Sequence, residues 1–245
     1  MIRGALVIPK IIHYCWFGGN SMPESVRQYI NGWKAVCPDY ELREWNESNF
    51  DVTCNEYVLE AYNAKKWAFV TDYVRLYALL HHGGLYMDTD VEVVRALDRF
   101  LVHDAFSGFE NPSCVPTGLM GSVPGHPAIK DLLDQYNEIH FIADDGSMDL
   151  STNVERITSY FIQRGLVPNN QYQTISDFTF YPTDFFCPKD SQTLEVKVTE
   201  NTYAIHHFSG TWLSRKDRLK QIAKKALGPR ATEKIAFLLG KRIAH

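Results

Sequence analysis

The feature that most constrains this chain is a long apolar helix pattern that stops at a glycine pair and turns straight into a short strand. Trp67 to Leu80 is apolar nearly all round, Gly83-Gly84 interrupts it, and Leu85-Tyr86-Met87 runs into Asp88-Thr89-Asp90. A helix with no polar face belongs in an interior, and a strand with no polar residue belongs in a covered sheet, so helix and sheet must be packed as layers. Residues two apart in an extended segment point the same way, so Asp88 and Asp90 can converge on one ion while Leu85 to Met87 anchor the segment. Hard cations such as Mn²⁺ or Mg²⁺ take carboxylate oxygens and keep positions for water and phosphate. Surface turns also produce Asp-x-Asp, so the rest of the chain has to carry the reading.

Coarse patterning alternates strands and helices. Ala5 to Cys15 reads as a buried first strand ending at Gly18-Gly19, Pro23 to Val36 as a helix, and Tyr40 to Trp45 as a second strand. Asn55 to Asn63 and Lys65 to His82 read as helices, and Val91 to Val94 as a continuing strand. Phe106 to Phe109 and Val115 to Val123 are further strands, Pro127 to Phe141 and Ser151 to Gln163 helices, and Tyr203 to Phe208 a late strand. The fold class expected is α/β, an open sheet flanked by helices. Ligands of such sheets sit at the carboxyl ends of strands, where Gly18-Gly19 and Asp88-Thr89-Asp90 both fall.

With 245 residues and 45% hydrophobic content, one sizeable domain can bury a full core. The five cysteines are scattered and odd in number, with no C-x-x-C pair, which speaks against a disulfide framework or a zinc knuckle. A reducing cytoplasm is the expected location, since the N-terminal apolar run is too short for a signal peptide and no stretch reaches the length of a membrane span.

Charge divides the chain in two. Residues 214–245 carry ten Lys or Arg against Asp217 and Glu233, a net of +8, which with −4 for the whole leaves −12 for residues 1–213. Leu219, Ile222, Ala223 and Ala226, then Ile235, Leu238 and Leu239, recur at helical spacing around Gly228-Pro229. Residues 1–213 are therefore expected to form the domain, and 214–245 a basic amphipathic helical tail. Such a tail either packs with its lysines solvated or lies on an anionic membrane surface.

Inside the apolar helix, Asp72 and Arg75 are three residues apart and share a face. They read either as a buried ion pair or as a clamp for sugar hydroxyls, one accepting and the other donating hydrogen bonds. His206-His207 closes a late strand, and because neighbours face opposite ways at most one of the two can reach the metal. Trp16 and Phe17, after the first strand, are core or rim aromatics, or platforms for a base.

Four stretches together resemble the glycosyltransferase family 32 type, the DXD sugar-binding group. They are Ile8 to Gly19, Asp72-x-x-Arg75, Gly83 to Asp90, and His206 to Trp212. That group includes bacterial capsule transferases and fungal mannosyltransferases and is related to the glucosylating domains of large clostridial toxins. The resemblance implies a GT-A fold, a Rossmann-like open mixed sheet, with a nucleotide-sugar and Mn²⁺ (or Mg²⁺) at the Asp-x-Asp turn and retention at the anomeric carbon. It makes Trp16, with Phe17 beside it, the base platform, and Asp72 with Arg75 the catalytic donor-sugar clamp. Asp88 and Asp90 become metal ligands, with His207 chosen over His206 as the third on its match to a His-aromatic-x-Gly pattern. Trp212 would lie near the leaving diphosphate, and Asn153 on the acceptor side. The implied substrates are a UDP-linked donor and a saccharide acceptor, lipid-linked at the inner face of the cell membrane, in capsule or surface-polysaccharide synthesis. No nucleic-acid partner is expected.

Three rivals stand beside this. A haloacid-dehalogenase-type phosphatase also places Asp-x-Asp after an apolar strand, and Asp144-Asp145 would be its second acidic pair, although that first motif normally opens the fold. A toxin-like transferase acting on protein is chemically close, but the chain is short and shows no delivery module. A non-catalytic carbohydrate-binding protein would explain the aromatics and acids without needing a metal.

Overall fold

The structure, a computed structural model, describes residues 7–190 and 193–209. Its centre is a seven-stranded mixed sheet. In chain order its strands are β1 (Ile11–Cys15), β2 (Glu41–Trp45), β3 (Gly84–Met87), β5 (Ala105–Gly108), β6 (Leu119–Ser122), β7 (Gln173–Ile175) and β8 (Phe178–Tyr181). Their spatial order is β2-β1-β3-β6-β5-β8-β7. Strands β2, β1 and β3 are parallel, β6 runs against both β3 and β5, β8 is parallel to β5, and β7 is antiparallel to β8. The open mixed α/β sheet expected from the sequence is therefore what forms.

Helices α1 (Glu24–Val36), α2 (Glu56–Asn63), α3 (Trp67–His82), α4 (Pro127–Asp134), α5 (Asn153–Ile162) and the single turn α6 (Thr183–Phe186) cover the sheet. Local chemistry accounts for their ends. The Asn55 side chain accepts from the Val58 amide at the start of α2, and Thr152 with Glu155 forms a capping box on α5. Helix α3 stops at Gly83, whose φ of +63° suits glycine and where a Cβ would lie 2.7 Å from the Pro124 ring.

Alternation along the strands sorts the core onto two faces. Leu85 and Met87 pack with Ile12, Tyr14 and Trp33 on the α1 side, whereas Tyr86 packs with Val70, Val74 and Phe178 on the α3 side. Asp88, two residues beyond Tyr86, inherits the α3 side and so meets what α3 presents there.

Two sequence expectations are revised, and one pair of strands was not expected. The segment Val91–Val93 (β4) leaves the main sheet and pairs antiparallel with Ala204–His206 (β9) in a separate two-stranded sheet. Pro127 to Phe141 is not one helix, because α4 gives way to a 3₁₀ turn at Gln135–Glu138. Strands β7 and β8 also escape the pattern, since Phe-Thr-Phe-Tyr is buried at all four positions and shows no polar alternation. Among the described residues no helix is long and apolar enough to cross a membrane. The basic tail 214–245 and Trp212 lie outside the described residues.

Candidate functional site

One edge of the sheet gathers the chemistry. The strand order puts β2 on one side of β1 and β3 on the other, so the chain reverses direction across the sheet between β1 and β3 and leaves a crevice at their carboxyl ends. Trp16 follows β1, Asp88 follows β3 and Glu110 lies just beyond β5, while Gly118 precedes the oppositely running β6. All four therefore reach the same edge. Helix α3 returns into β3 through Gly83, so its N-terminal half, with Asp72 and Arg75, lies at that edge too.

A carboxylate–guanidinium–carboxylate relay forms the floor. Arg75 Nη2 is 3.2 Å from Asp72 Oδ1 and 3.2 Å from Asp88 Oδ1, and the guanidinium stands over the Tyr86 ring at 4.6 Å. Tyr86 donates its hydroxyl to the same Asp88 oxygen at 3.2 Å. The other Asp72 oxygen accepts from the Asn153 amide at 3.2 Å, and the Asn153 side chain donates to the Asp72 carbonyl at 3.3 Å. Burial pushes the Asp72 carboxyl up to about 6, against the pull of Arg75. Burial also works against the Arg75 charge, but Asp88, Tyr86 and Asp72 outweigh it and hold the guanidinium above its ordinary value. Arg75 Nε and Asn153 Oδ1 are buried with no hydrogen-bond partner, a donor and an acceptor left unsatisfied beside the relay.

Beside the relay, Asp88, Asp90 and His206 each offer a ligand atom, all within 4.8 Å of one another. His206 Nε2 is 3.4 Å from Asp90 Oδ1 and 3.8 Å from Asp88 Oδ2. Asp90 Oδ2 accepts the Ser209 amide at 2.6 Å, which fixes its rotamer. Burial opposes the Asp90 charge, yet His206 and the Ser209 amide bring its pKa below the usual carboxylate value. For His206 burial would depress the pKa, but Asp90, Cys187 and Asp88 raise it well above the ordinary imidazole value. The proton that balances these acids is the one a cation would displace. Two hard oxygen donors with one imidazole suit Mn²⁺ or Mg²⁺, and Gly118 keeps the space, since a Cβ there would lie 2.9 Å from Asp88 Oδ2 and 3.2 Å from His206 Cε1.

His207 corrects the sequence expectation. Strand alternation turns it away from the acids: its Nε2 is 2.8 Å from Glu92 Oε2 and its ring stacks on Tyr29 at 5.1 Å. His206, paired opposite Val91 in the β4–β9 ladder, takes the inward position. Phe17 is a second correction, because it is buried in the core against the Phe50 ring at 6.2 Å and presents no surface to a ligand. Trp16 does stay at the surface. It lines a cavity of about 410 Å³ with Tyr14, Asn20, Arg27 and Glu44, and donates its indole N–H to the Asn20 carbonyl at 2.7 Å. Asp144 and Asp145 are exposed on a separate turn, so they supply no second acidic pair here. Sequence reading missed Glu110, whose Oε2 is 3.8 Å from His206 Nδ1 and whose pKa burial raises. No local signal marked it, because only the strand order brings the end of β5 to the edge that carries the Asp-x-Asp turn.

Comparison with known proteins bears on this geometry. Residues 23–107 match the family model described as the glycosyltransferase sugar-binding region containing DXD motif, and that stretch holds Asp72, Arg75, Asp88 and Asp90. The resemblance to DXD glycosyltransferases read from the sequence is borne out there. Among curated relatives, inositol phosphoceramide mannosyltransferase 3 of Schizosaccharomyces pombe is 33% identical over 127 residues, 49% of this chain and 35% of that protein. The chain thus spans about a third of that relative's length. An uncharacterized glycosyltransferase, L373, of Acanthamoeba polyphaga mimivirus is 27% identical over 208 residues, 75% of this chain and 77% of that protein. Among solved structures, the PaToxG glycosyltransferase superposes with a TM-score of 0.47 at 16% identity, over 64% of this chain and 70% of that one.

Proposed function

We propose that this chain is a divalent-metal-dependent glycosyltransferase that moves a sugar from a nucleotide-sugar to a saccharide acceptor. The observation that carries the reading is the continuity of the two clusters: Asp88 is at once a partner of Arg75 and a member of the Asp88–Asp90–His206 group. A sugar clamp and a cation site that share one carboxylate fit a ligand in which a sugar and a diphosphate are joined.

When bound there, a divalent cation neutralises the charge that grows on the departing diphosphate. The chain's own residues do the rest. Asp88 and Asp90 hold the cation, with His206 in place of the expected His207. Asp72, Arg75 Nε and Asn153 Oδ1 meet sugar hydroxyls, and the Trp16 cavity takes the base. Transfer breaks the bond from the anomeric carbon to the diphosphate and forms one to the acceptor oxygen, with retention and with the acceptor proton passing to the departing phosphate. Asp72 is poorly placed to act as a covalent nucleophile, because Arg75 and the Asn153 amide engage its two oxygens. The expected donor is UDP-linked, and the mannosyltransferase name of the fungal relative adds mannose to the sugars to test. The acceptor proposed is lipid-linked, presented where the basic tail meets an anionic membrane on the cytoplasmic side, as in capsule or surface-polysaccharide assembly.

A panel of UDP- and GDP-sugars, with and without Mn²⁺, tests the reading through nucleoside diphosphate release and calorimetric binding. Metal-dependent release of one nucleoside diphosphate, lost in Asp88→Asn/Asp90→Asn, is the expected result. Hydrolysis of a phosphomonoester with no nucleotide-sugar cleaved or bound would replace the reading with a phosphatase, and sugar binding that needs neither nucleotide nor metal would leave a carbohydrate-binding protein.

A further inference from the structure

The His206 ring meets the metal-site carboxylates on one side only. Its Nε2 faces the Asp90 and Asp88 carboxylates, while Nδ1 is buried, makes no hydrogen bond and lies 3.8 Å from Glu110 Oε2. We propose that Glu110 is a positioning residue that fixes His206 for cation binding by accepting its Nδ1–H, a role that rests on the metal site proposed above.

An imidazole that gives the Nε2 lone pair to a cation is neutral and carries its proton on Nδ1. That N–H is buried, and a buried donor without an acceptor bears the full cost of its desolvation. Glu110 is the carboxylate that faces it, and an approach of about 1 Å brings the pair to hydrogen-bond distance. Cys187 also meets the ring, but its thiol points to the Lys189 carbonyl, with Sγ to O at 4.0 Å, and sulfur is a weak acceptor. The backbone holds Glu110 at this spot. Phe109 donates to the Tyr181 carbonyl at 2.9 Å, and Glu110 to the Cys114 carbonyl at 2.9 Å across a tight turn. With its side chain 22% exposed, Glu110 reaches His206 from the turn after β5, a segment that supplies none of the three ligands.

The test is a Mn²⁺ titration of the full chain, followed by the electron paramagnetic resonance signal of free Mn²⁺, with no sugar and no turnover. Glu110→Ala is expected to weaken binding about 10–100-fold, the usual range for the outer partner of a ligating histidine. Glu110→Gln, which keeps an acceptor and nearly the same volume, should recover most of that loss. In a His206→Ala background the added Glu110→Ala change should move affinity less than about threefold, because the histidine it serves is gone. An equal loss with and without His206 would mean that Glu110 acts on the cation directly, and it would overturn the proposal. Ring ¹⁵N shifts of Mg²⁺-loaded protein give a second readout, in which His206 protonated on Nε2 would also overturn it. Failure of the wild type to bind Mn²⁺ at all would remove the metal site itself, an outcome distinct from loss of the Glu110 role alone.

Discussion

At the scale of single residues, the site is decided by which atom a side chain turns inward. His206 and His207 are chemically identical, yet one faces two aspartates and the other pairs with Glu92 under Tyr29. His206→Ala should therefore lower Mn²⁺ affinity about 100-fold and His207→Ala less than about threefold, as a direct ligand and a bystander should differ. Isothermal titration of both variants checks this, and equal losses would sink the assignment. Gly118 belongs to the same scale. An alanine there must displace the Asp88 carboxylate, whose oxygen would sit 2.9 Å from the new carbon. We expect Gly118→Ala to weaken Mn²⁺ binding about tenfold while leaving the urea midpoint within experimental scatter, and unchanged affinity would count against the cradle. Asp72 and Arg75 were legible because i, i+3 on a helix fixes a shared face, and Asp88 and Asp90 from their types just behind an apolar strand, although they converge through the turn closed by the Val91 amide on the Asp88 carbonyl at 3.0 Å and not through strand alternation. Glu110 was not, since only sheet pairing across β6 brings it to His206.

Elements carry their own tests. In β1, His13 donates from Nε2 to the Gly83 carbonyl at 2.8 Å and accepts at Nδ1 from the Trp45 indole at 3.1 Å, so the ring is neutral and ties β1 and β2 to the turn before β3. Burial lowers its pKa to about 4, against the pull of the Gly83 hydrogen bond. Between the unfolded value of about 6.5 and that folded value, the unfolded chain binds a proton the folded one refuses, so this residue makes stability fall as pH falls through that window. The loss is about 3 kcal/mol once pH is below both values. Urea unfolding of wild type and His13→Gln at pH 7 and pH 4.5 should show a smaller acid-induced loss in the variant, and parallel losses would contradict the account. In β6, a Cβ at Gly121 would lie 2.3 Å from Phe106 Cε1 and 2.8 Å from Leu85 Cδ2. Gly121→Ala should cost about 1–3 kcal/mol through overpacking, read from the same urea curves, and a neutral result would mean that the β5–β6–β3 face yields more readily than its burial suggests.

For the whole molecule, the separation of charge makes the testable claim. With −12 on residues 1–213 and +8 on 214–245, a membrane of negative charge attracts one end of the chain and repels the rest. Removal of residues 214–245 should reduce binding to phosphatidylserine-containing vesicles at least about tenfold, since several basic residues contribute about 1 kcal/mol each near such a surface. Nucleoside diphosphate release should persist in the truncated chain, and wild-type vesicle binding should weaken as salt rises. Vesicle binding that survives the truncation would remove the tail from the proposed membrane contact.

The sequence by itself determined the alternation of strands and helices, the burial of α3, and the presence of an acidic turn behind Gly83-Gly84, because each follows from periodicity and backbone freedom within a few residues. It also bounded the histidine choice to one of two. Tertiary structure alone decided the rest. It drew β4 out of the main sheet to pair with β9, which turned His206 inward. It buried Phe17 against Phe50, left Trp16 at a cavity, and brought Glu110 to the far nitrogen of His206. These are contacts between segments tens of residues apart, set by which strands share hydrogen bonds and which faces pack, and no local pattern encodes them.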